Sequence, residues 1–125
     1  MDRGRLKPLE WVGSSRDDLK GFPDVVQDHM GFALYLAQTG SVHRDAKPLK
    51  GLGAGVLEVV SRHDKGTYRA VYTVRFAEVV YVLHAFQKKS TKGIATPRRE
   101  IELVRRRLRD AAVHHHTTYF SGSRA

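Results

Sequence analysis

The most constraining feature of the sequence is a run of apolar residues in its second half. From Val79 to Phe86, every residue is apolar except His84. The run is rich in β-branched and aromatic residues and shows no alternation, which is typical of a strand that is buried on both faces of a sheet. We therefore predict a central strand here. Lys88, Lys89 and Lys92 follow it, so the end of this strand is predicted to carry positive charge.

Length and composition indicate one globular domain. The chain has 125 residues, of which 41% are hydrophobic and 28% are charged, as in ordinary folded proteins. We place an ordered core at about residues 9–112 and a polar tail at residues 113–125. The absence of cysteine excludes disulfides and thiolate metal sites. No apolar run approaches the roughly 20 residues that span a bilayer, and we expect a cytoplasmic protein.

The net charge predicts a polyanionic partner. The formal charge is +9, which favours nucleic acid, a membrane surface or an acidic protein as the partner. Between Phe86 and Arg109 there are nine Lys or Arg and two Glu, a surplus of seven. Most of the imbalance therefore lies at the end of the central strand and in the helix after it.

The remaining pattern predicts an α+β fold. One predicted helix has Pro23 just before its first turn, Gly40 just past its end and an apolar stripe along one side. Residues 63–66 have hairpin-turn composition. In chain order we predict a strand at 9–13, a short helix from Ser15, a helix at 24–39, a loop at 41–55, strands at 56–62 and 67–76, the central strand, a helix at about 97–112, and a frayed tail from His114. This is a small, mostly antiparallel sheet of about four strands, with two N-terminal helices and a C-terminal helix packed on one face.

The first candidate site is a group of cations at the end of the central strand. Strand pairing is predicted to bring Arg62, Arg69, Lys88 and Lys89 together. Arginine binds phosphate oxygens bidentately and lysine supplies a point charge, so such a group suits a phosphodiester. The alternative is a solvated sheet rim, which lysine commonly protects.

Histidines provide the second group of candidates. His84 shares a strand face with Val80, Val82 and Phe86 in this prediction. It is therefore either a packed core residue or, if Arg69 lines the same face, an acid or base. His63 is interpreted as a turn residue. The run His114–His116 is interpreted as tail or as a non-native remnant, without metal-ligand spacing around it. No Ser-His-Asp arrangement is readable in the sequence.

Further basic residues are candidates for RNA binding. The glycine-rich stretch at 47–55 lacks the Gly-Lys-Ser/Thr ending of a P-loop and precedes a strand, so a nucleotide-binding loop is rejected. Its lysines can still lie against an RNA backbone. The predicted RNA-binding residues are Lys47, Lys50, Arg62, Lys92, Arg98 and Arg99.

Four segments in succession resemble the RelE/ParE toxin superfamily. They are Lys47-Pro48-Leu49-Lys50-Gly51-Leu52, Val56-Leu57-Glu58-Val59, Thr67-Tyr68-Arg69-Ala70-Val71-Tyr72 and Leu83-His84-Ala85-Phe86-Gln87-Lys88-Lys89-Ser90-Thr91. The Phe-x-Lys-Lys ending before a Thr-Pro helix start is most similar to the phage-derived, HigB-like branch. The resemblance covers about residues 9–112.

The resemblance implies a toxin of a type II toxin–antitoxin pair. RelE and HigB members cut mRNA on the ribosome without a metal or other cofactor: the ribose 2′-hydroxyl attacks the adjacent phosphate, assisted by a base and surrounding cations. ParE members instead inhibit DNA gyrase. The implied catalytic residues are Arg69, His84, Lys88 and Lys89, and the implied partners are the ribosome, mRNA and a HigA-like helix-turn-helix antitoxin.

One departure from the family pattern concerns the base. RelE has two lysines on the strand before the hairpin, where this chain has Glu58 and Val60, and Tyr119 is not a clear counterpart of the C-terminal tyrosine. The base that accepts the 2′-hydroxyl proton is therefore expected to be Glu58, His84 or a shifted lysine. We predict a ribosome-dependent mRNA endonuclease, with a gyrase inhibitor or a non-catalytic RNA-binding module as alternatives. Arg69→Ala and Lys89→Ala are expected to relieve toxicity with the fold intact.

Overall fold

The protein forms a five-stranded mixed sheet with three helices. We describe a computed structural model, which covers residues 6–88 and 95–120, with the backbone alone at Phe120. The elements are β1 (Leu9–Trp11), α1 (Ser15–Lys20), α2 (Asp24–Gln38), β2 (Ala46–Pro48), β3 (Val56–His63), β4 (Gly66–Thr73), β5 (Val80–Lys88) and α3 (Arg98–His115), followed by a π-helical turn at His116–Phe120. The strand order is β1-β5-β4-β3-β2. Across these ranges, no helix has the length and apolar character that crossing a membrane requires.

The predicted central strand is confirmed as β5. Its first six residues, Val80 to Ala85, are all buried. It pairs in parallel with β1 and antiparallel with β4. An apolar run without alternation forms here because helices cover both faces of the sheet at this strand.

The helices lie on both faces of the sheet, so the prediction that they pack on one face is wrong. Helices α1 and α2 cover one face, where Val26 and Met30 pack against Val59 and Val82. Helix α3 covers the other face, where residues such as Val104 pack against strand residues such as Val71 and Leu83. The physical reason is β5 itself: a strand that is apolar on both sides exposes one apolar face unless each side is covered.

The predicted hairpin is confirmed, although its second strand is shorter than predicted. Asp64 and Lys65 both have positive φ angles, 48° and 68°, as the two-residue turn between β3 and β4 requires. Strand β4 ends at Thr73 rather than Phe76 because its partner strand begins at Val56, which pairs with Thr73. One more backbone hydrogen bond follows on that side, from Val74 N–H to the carbonyl oxygen of Gly55 at 2.9 Å, and the ladder ends there.

Two further predictions are corrected. The loop predicted at 41–55 contains a short edge strand, β2, which pairs antiparallel with β3 and gives five strands instead of four. Helix α3 continues to His115 and a π-helical turn follows it, where a frayed tail was predicted. The added turns are anchored by side chains, since Tyr81 Oη lies 2.7 Å from His114 Nδ1 and Glu78 Oε1 lies 2.7 Å from His115 Nε2.

Candidate active site

A β-bulge in β5 determines which way His84 faces. The pairing with β4 shifts by one residue, so that Val71 pairs with His84 whereas Tyr72 pairs with Val82. Because of the extra residue, two consecutive side chains face α3. Leu83 packs in the core on that side, and the ring nitrogens of His84 contact residues of α3. The sequence predicted that His84 shares a face with Val82, and this prediction is wrong. His84 lies on the face that Arg69 lines.

Strand register gathers basic residues on the α3 side of the sheet. Arg62, Thr67 and Lys88 are direct cross-strand neighbours, and Lys47 is paired with Glu58. Adjacent strands lie about 4.8 Å apart, so these side chains share one surface. We call this surface the basic face. Lys47, Arg62 and Lys88 belong to it by strand register, and Lys50 lines the adjoining Glu58 cavity. We add Arg98 and Arg99, because they begin α3 two and three residues after Thr96, which lines the same cavity. These are its six cations.

The basic face surrounds a buried ion pair. Arg69 Nη1 donates to Glu58 Oε1 at 2.8 Å, with side-chain exposures of 5% and 9%. Thr96, just before α3, donates through its hydroxyl to Glu58 Oε2 at 2.7 Å. Both carboxylate oxygens of Glu58 are therefore bound, and Arg69 reaches the site as a buried partner of Glu58.

A cavity opens onto this carboxylate. It has a volume of about 450 Å³ and is lined by Pro48, Leu49, Lys50, Glu58, Ala95, Thr96 and Ile101. Lys50 is exposed at its edge, and Lys88 Nζ donates to the carbonyl oxygen of Ala95 at 2.8 Å. Two lysines thus stand close to a cavity whose wall contains a carboxylate, an arrangement that can hold a phosphate and accept a proton.

His84 is buried beneath α3. It is 6% exposed, its Nε2 lies 2.7 Å from Glu100 Oε1, and its Nδ1 lies 3.5 Å from Arg107 Nη1. Because Arg107 can only donate, Nδ1 is the acceptor and Nε2 carries the proton that Glu100 accepts. Its ring also stacks on Phe86 at 4.7 Å between centroids. The histidine connects β5 to α3 and does not line the cavity of Glu58.

The other predicted site residues have different environments. Arg98 and Arg99 are exposed at the start of α3, and the Arg99 side chain is 90% exposed. Arg62 lies where β3 is an edge strand, because β2 pairs only with residues 57–59 of β3. Lys89 and Lys92 lie outside the described residues. Tyr119 donates to Glu10 Oε2 at 3.4 Å, near β1 and away from the cavity.

Three partners of the site were not predicted from the sequence. Thr96 was interpreted as a helix-start residue, and Glu100 and Arg107 as part of the basic helix, although they orient Glu58 and His84. A second polar group was also missed, on the α2 side, where His29 Nε2 lies 2.8 Å from Asp45 Oδ2. The hydrogen bond from His29 lowers the pKa of Asp45. The His-x-Asp spacing of His43 and Asp45 was the one sequence signal for this group.

Taken together, the two-sided α+β sheet and the basic face define a small protein with a cavity suited to a phosphodiester. The family description "Phage derived protein Gp49-like (DUF891)" matches residues 17–109. The chain belongs to this family. Gp49-like proteins are RelE-like toxins, so the predicted membership of the RelE/ParE superfamily is confirmed, and it indicates a toxin of a toxin–antitoxin pair.

Two of the solved structures that resemble the chain contain toxins. One is a mutant of the Escherichia coli toxin RelE in the free state, at 16% identity, covering 65% of this chain and 82% of that one with a TM-score of 0.49. The other is the toxin–antitoxin complex RelBE2 from Mycobacterium tuberculosis, at 19% identity, covering 72% of this chain and 100% of that one with a TM-score of 0.44. No curated protein matches the sequence.

Proposed function

We propose that this toxin is a ribosome-dependent mRNA endonuclease. The observation that carries the proposal is the cavity of about 450 Å³ in which Glu58 meets Lys50, beside Lys88. A cavity that combines a proton acceptor with surrounding cations has the parts that phosphodiester cleavage needs. The RelE-like family supports the same reaction.

The proposed reaction is an internal transfer that requires no metal. The ribose 2′-oxygen forms a bond to phosphorus as its proton passes to a base, and the bond from phosphorus to the 5′-oxygen breaks. The leaving 5′-oxygen takes up a proton from water, so the products are a 2′,3′-cyclic phosphate and a 5′-hydroxyl. Cations beside the phosphate stabilise the charge that develops on its oxygens.

We assign the base role to Glu58 and the charge-stabilising role to Lys88. Glu58 lines the cavity, whereas His84 lies beneath α3 and is paired with Glu100. Arg69 is a positioning residue in this proposal because it holds Glu58 Oε1 from the buried side. The exposed cations Lys47, Lys50, Arg62, Arg98 and Arg99, together with Lys89 and Lys92, are proposed to bind the RNA backbone.

The partners follow from the same proposal. Ribosomal RNA is a polyanion that suits a chain of net charge +9. Since the ribosome and mRNA are the targets, we propose a cytoplasmic protein. Its antitoxin is proposed to be a HigA-like helix-turn-helix protein that neutralises the toxin.

The test is a cleavage assay on translating ribosomes. Purified wild type is compared with Glu58→Gln, which keeps the size of the side chain, and with Lys88→Ala. Lys20→Ala is the matched control, because Lys20 is an exposed lysine at the end of α1, on the other face of the sheet. We expect mRNA 5′ ends that map within codons for wild type and Lys20→Ala, and a roughly 100-fold slower rate for the two site variants.

A supercoiling assay with DNA gyrase is run on the same samples. Loss of supercoiling with intact mRNA would contradict the nuclease proposal and favour a gyrase inhibitor. Unchanged cleavage by Glu58→Gln, with wild-type folding by circular dichroism, would refute the assignment of Glu58 while leaving the nuclease activity established.

A further inference from the structure

A cluster of metal-ligating side chains lies on the α2 side of the sheet, opposite the Glu58 cavity. His29 projects from α2, and His43 and Asp45 come from the segment that leads into β2. Among the described residues, these three form the one group whose potential ligand atoms all lie within 4.8 Å of one another. We propose that His29, His43 and Asp45 form a binding site for a divalent metal of the zinc class.

The donor set determines which metals fit. Two imidazole nitrogens and one carboxylate oxygen match the ligands that zinc and neighbouring transition metals take. Magnesium and calcium prefer sites made of oxygen donors, and this group has too few of them. The site is therefore expected to select Zn²⁺, Co²⁺ or Ni²⁺ over Mg²⁺.

The spacing of the donors also fits. Zinc–nitrogen and zinc–oxygen bonds of about 2.0–2.1 Å place neighbouring tetrahedral ligands about 3.3 Å apart. Asp45 Oδ2 lies 2.8 Å from His29 Nε2 and 3.9 Å from His43 Nδ1. One distance must open and the other must close, each by about half an ångström. Asp45 can make this change because its side chain is 44% exposed.

The hydrogen bonds around the histidines suit metal ligation. Ser61 Oγ on β3 lies 2.7 Å from His29 Nδ1, and a hydroxyl can either donate to this nitrogen or accept from it. When Nε2 binds a metal, the proton moves to Nδ1 and Ser61 accepts it, as the outer partners of metal-bound histidines commonly do. The Asp45 backbone N–H donates to His43 Nδ1 at 2.9 Å, so this nitrogen is unprotonated. Its single lone pair must leave that hydrogen bond when Nδ1 binds a metal.

The cluster forms part of the wall of a cavity of about 610 Å³. Phe32 packs edge-on against the His43 ring, with 5.5 Å between centroids, and limits its rotation. Three protein ligands leave a tetrahedral metal one position that can face the cavity. Arg44, Arg62 and His63 also line the cavity, so water or an anion is favoured at that position over a cationic ligand.

The test is a Zn²⁺ titration of the full chain by calorimetry, with the visible absorption of bound Co²⁺ as a second readout. Wild type is compared with His43→Gln and Asp45→Asn, which each remove one ligand, and with Ser61→Ala. His63→Gln is the matched control, because His63 lines the same cavity but is not part of the three-residue cluster. Residues 114–116 are histidines in every variant, so any metal they bind is common to all samples.

We expect wild type and His63→Gln to bind one equivalent of Zn²⁺. His43→Gln and Asp45→Asn should lose this binding or bind Zn²⁺ at least about 100-fold more weakly. Ser61→Ala is expected to bind about 10-fold more weakly. The Co²⁺ spectrum should show tetrahedral coordination in wild type and in His63→Gln, but not in His43→Gln or Asp45→Asn. Equal binding by wild type, His43→Gln and Asp45→Asn would overturn the proposal, as would the absence of saturable binding at micromolar Zn²⁺. Asp45→Asn keeps the test valid if His43→Gln fails to fold, since Asp45 is partly exposed.

Discussion

Arg69 and Glu58 occupy a place in β-strands that ordinarily holds apolar side chains. Their neighbours on the same face include Val71 and Phe86, which pack under α3. Separating two charges from water has a large free-energy cost, which is offset here by their mutual attraction and by the hydrogen bond from Thr96. Removing one partner alone leaves the other charge buried. The expectation that Arg69→Ala keeps the fold intact is therefore revised.

We predict that Arg69→Ala lowers the free energy of unfolding by about 3–5 kcal/mol, because it leaves the Glu58 carboxylate without its counter-charge. Urea denaturation followed by circular dichroism measures this change. Arg62→Ala is the matched control, since Arg62 is exposed and is expected to change stability by no more than about 0.5 kcal/mol. The double variant Glu58→Leu/Arg69→Met should recover most of the loss. Equal urea midpoints for Arg69→Ala and Arg62→Ala would contradict this account.

Two buried tyrosines offer a second comparison at single residues. The Tyr72 hydroxyl has no hydrogen-bond partner in the described part of the chain, whereas the Tyr81 hydroxyl lies 2.7 Å from His114 Nδ1. Burial raises the pKa of each phenol from 10.0 to about 12. As the pH rises, the two tyrosines ionise in the unfolded chain before they ionise in the folded protein. The free energy of unfolding is therefore unaffected by them below about pH 10, and it falls as the pH rises towards 12.

We predict opposite effects for the two phenylalanine substitutions. Tyr72→Phe removes a buried hydroxyl that lacks a partner and should stabilise the protein by about 1 kcal/mol, whereas Tyr81→Phe should destabilise it by about 1 kcal/mol. Thermal unfolding at pH 7 measures both. Absorbance of the phenolate provides the pH test: each variant should lose one tyrosine from the group that titrates late. Destabilisation by Tyr72→Phe would show that its hydroxyl has a partner.

At the scale of elements, long periodic segments could be predicted and short ones could not. Helix α2 carries a complete set of signals, with Pro23 before it, Gly40 after it and an apolar stripe that the structure buries. Strand β2 has only three residues, which is too few for any period to show. It contains Pro48, which signals a loop, although an edge strand tolerates proline.

The candidate site was predictable only in part for a similar reason. The cross-strand arrangement of Arg62 and Lys88 follows from the hairpin turn, which fixes the register of β3 and β4. The face of His84 does not, because it depends on a bulge that adjusts β5 to β4. The pairing of Glu58 with Arg69 depends on that register and on how α3 closes over the sheet. Such long-range fits leave no local signal in the sequence.

At the scale of the whole molecule, the two faces of the sheet have different chemistry. The α3 side carries the basic face around the Glu58 cavity. The α2 side carries the larger cavity with the His29–His43–Asp45 cluster, beside exposed apolar side chains such as Phe32 and Tyr35. Arg62 belongs to the basic face and also lines the α2-side cavity, so the two surfaces meet at the free edge of β3. A ligand in that cavity can affect RNA binding through Arg62 as well as through the packed strands between the two faces.

The distribution of charge yields a prediction for the whole protein. If the six cations of the basic face contact phosphates, log affinity for single-stranded RNA should fall with log salt with a slope of about −4, or roughly 300-fold between 50 and 200 mM salt. Fluorescence anisotropy with a labelled RNA measures this slope. Lys50→Ala should make it about 0.7 units shallower, whereas Lys20→Ala, with the same change in net charge, should leave it unchanged. A slope near zero would mean that RNA binding releases few counterions and does not depend on phosphate contacts. Equal slopes for the two variants would mean that net charge attracts RNA without a defined basic face.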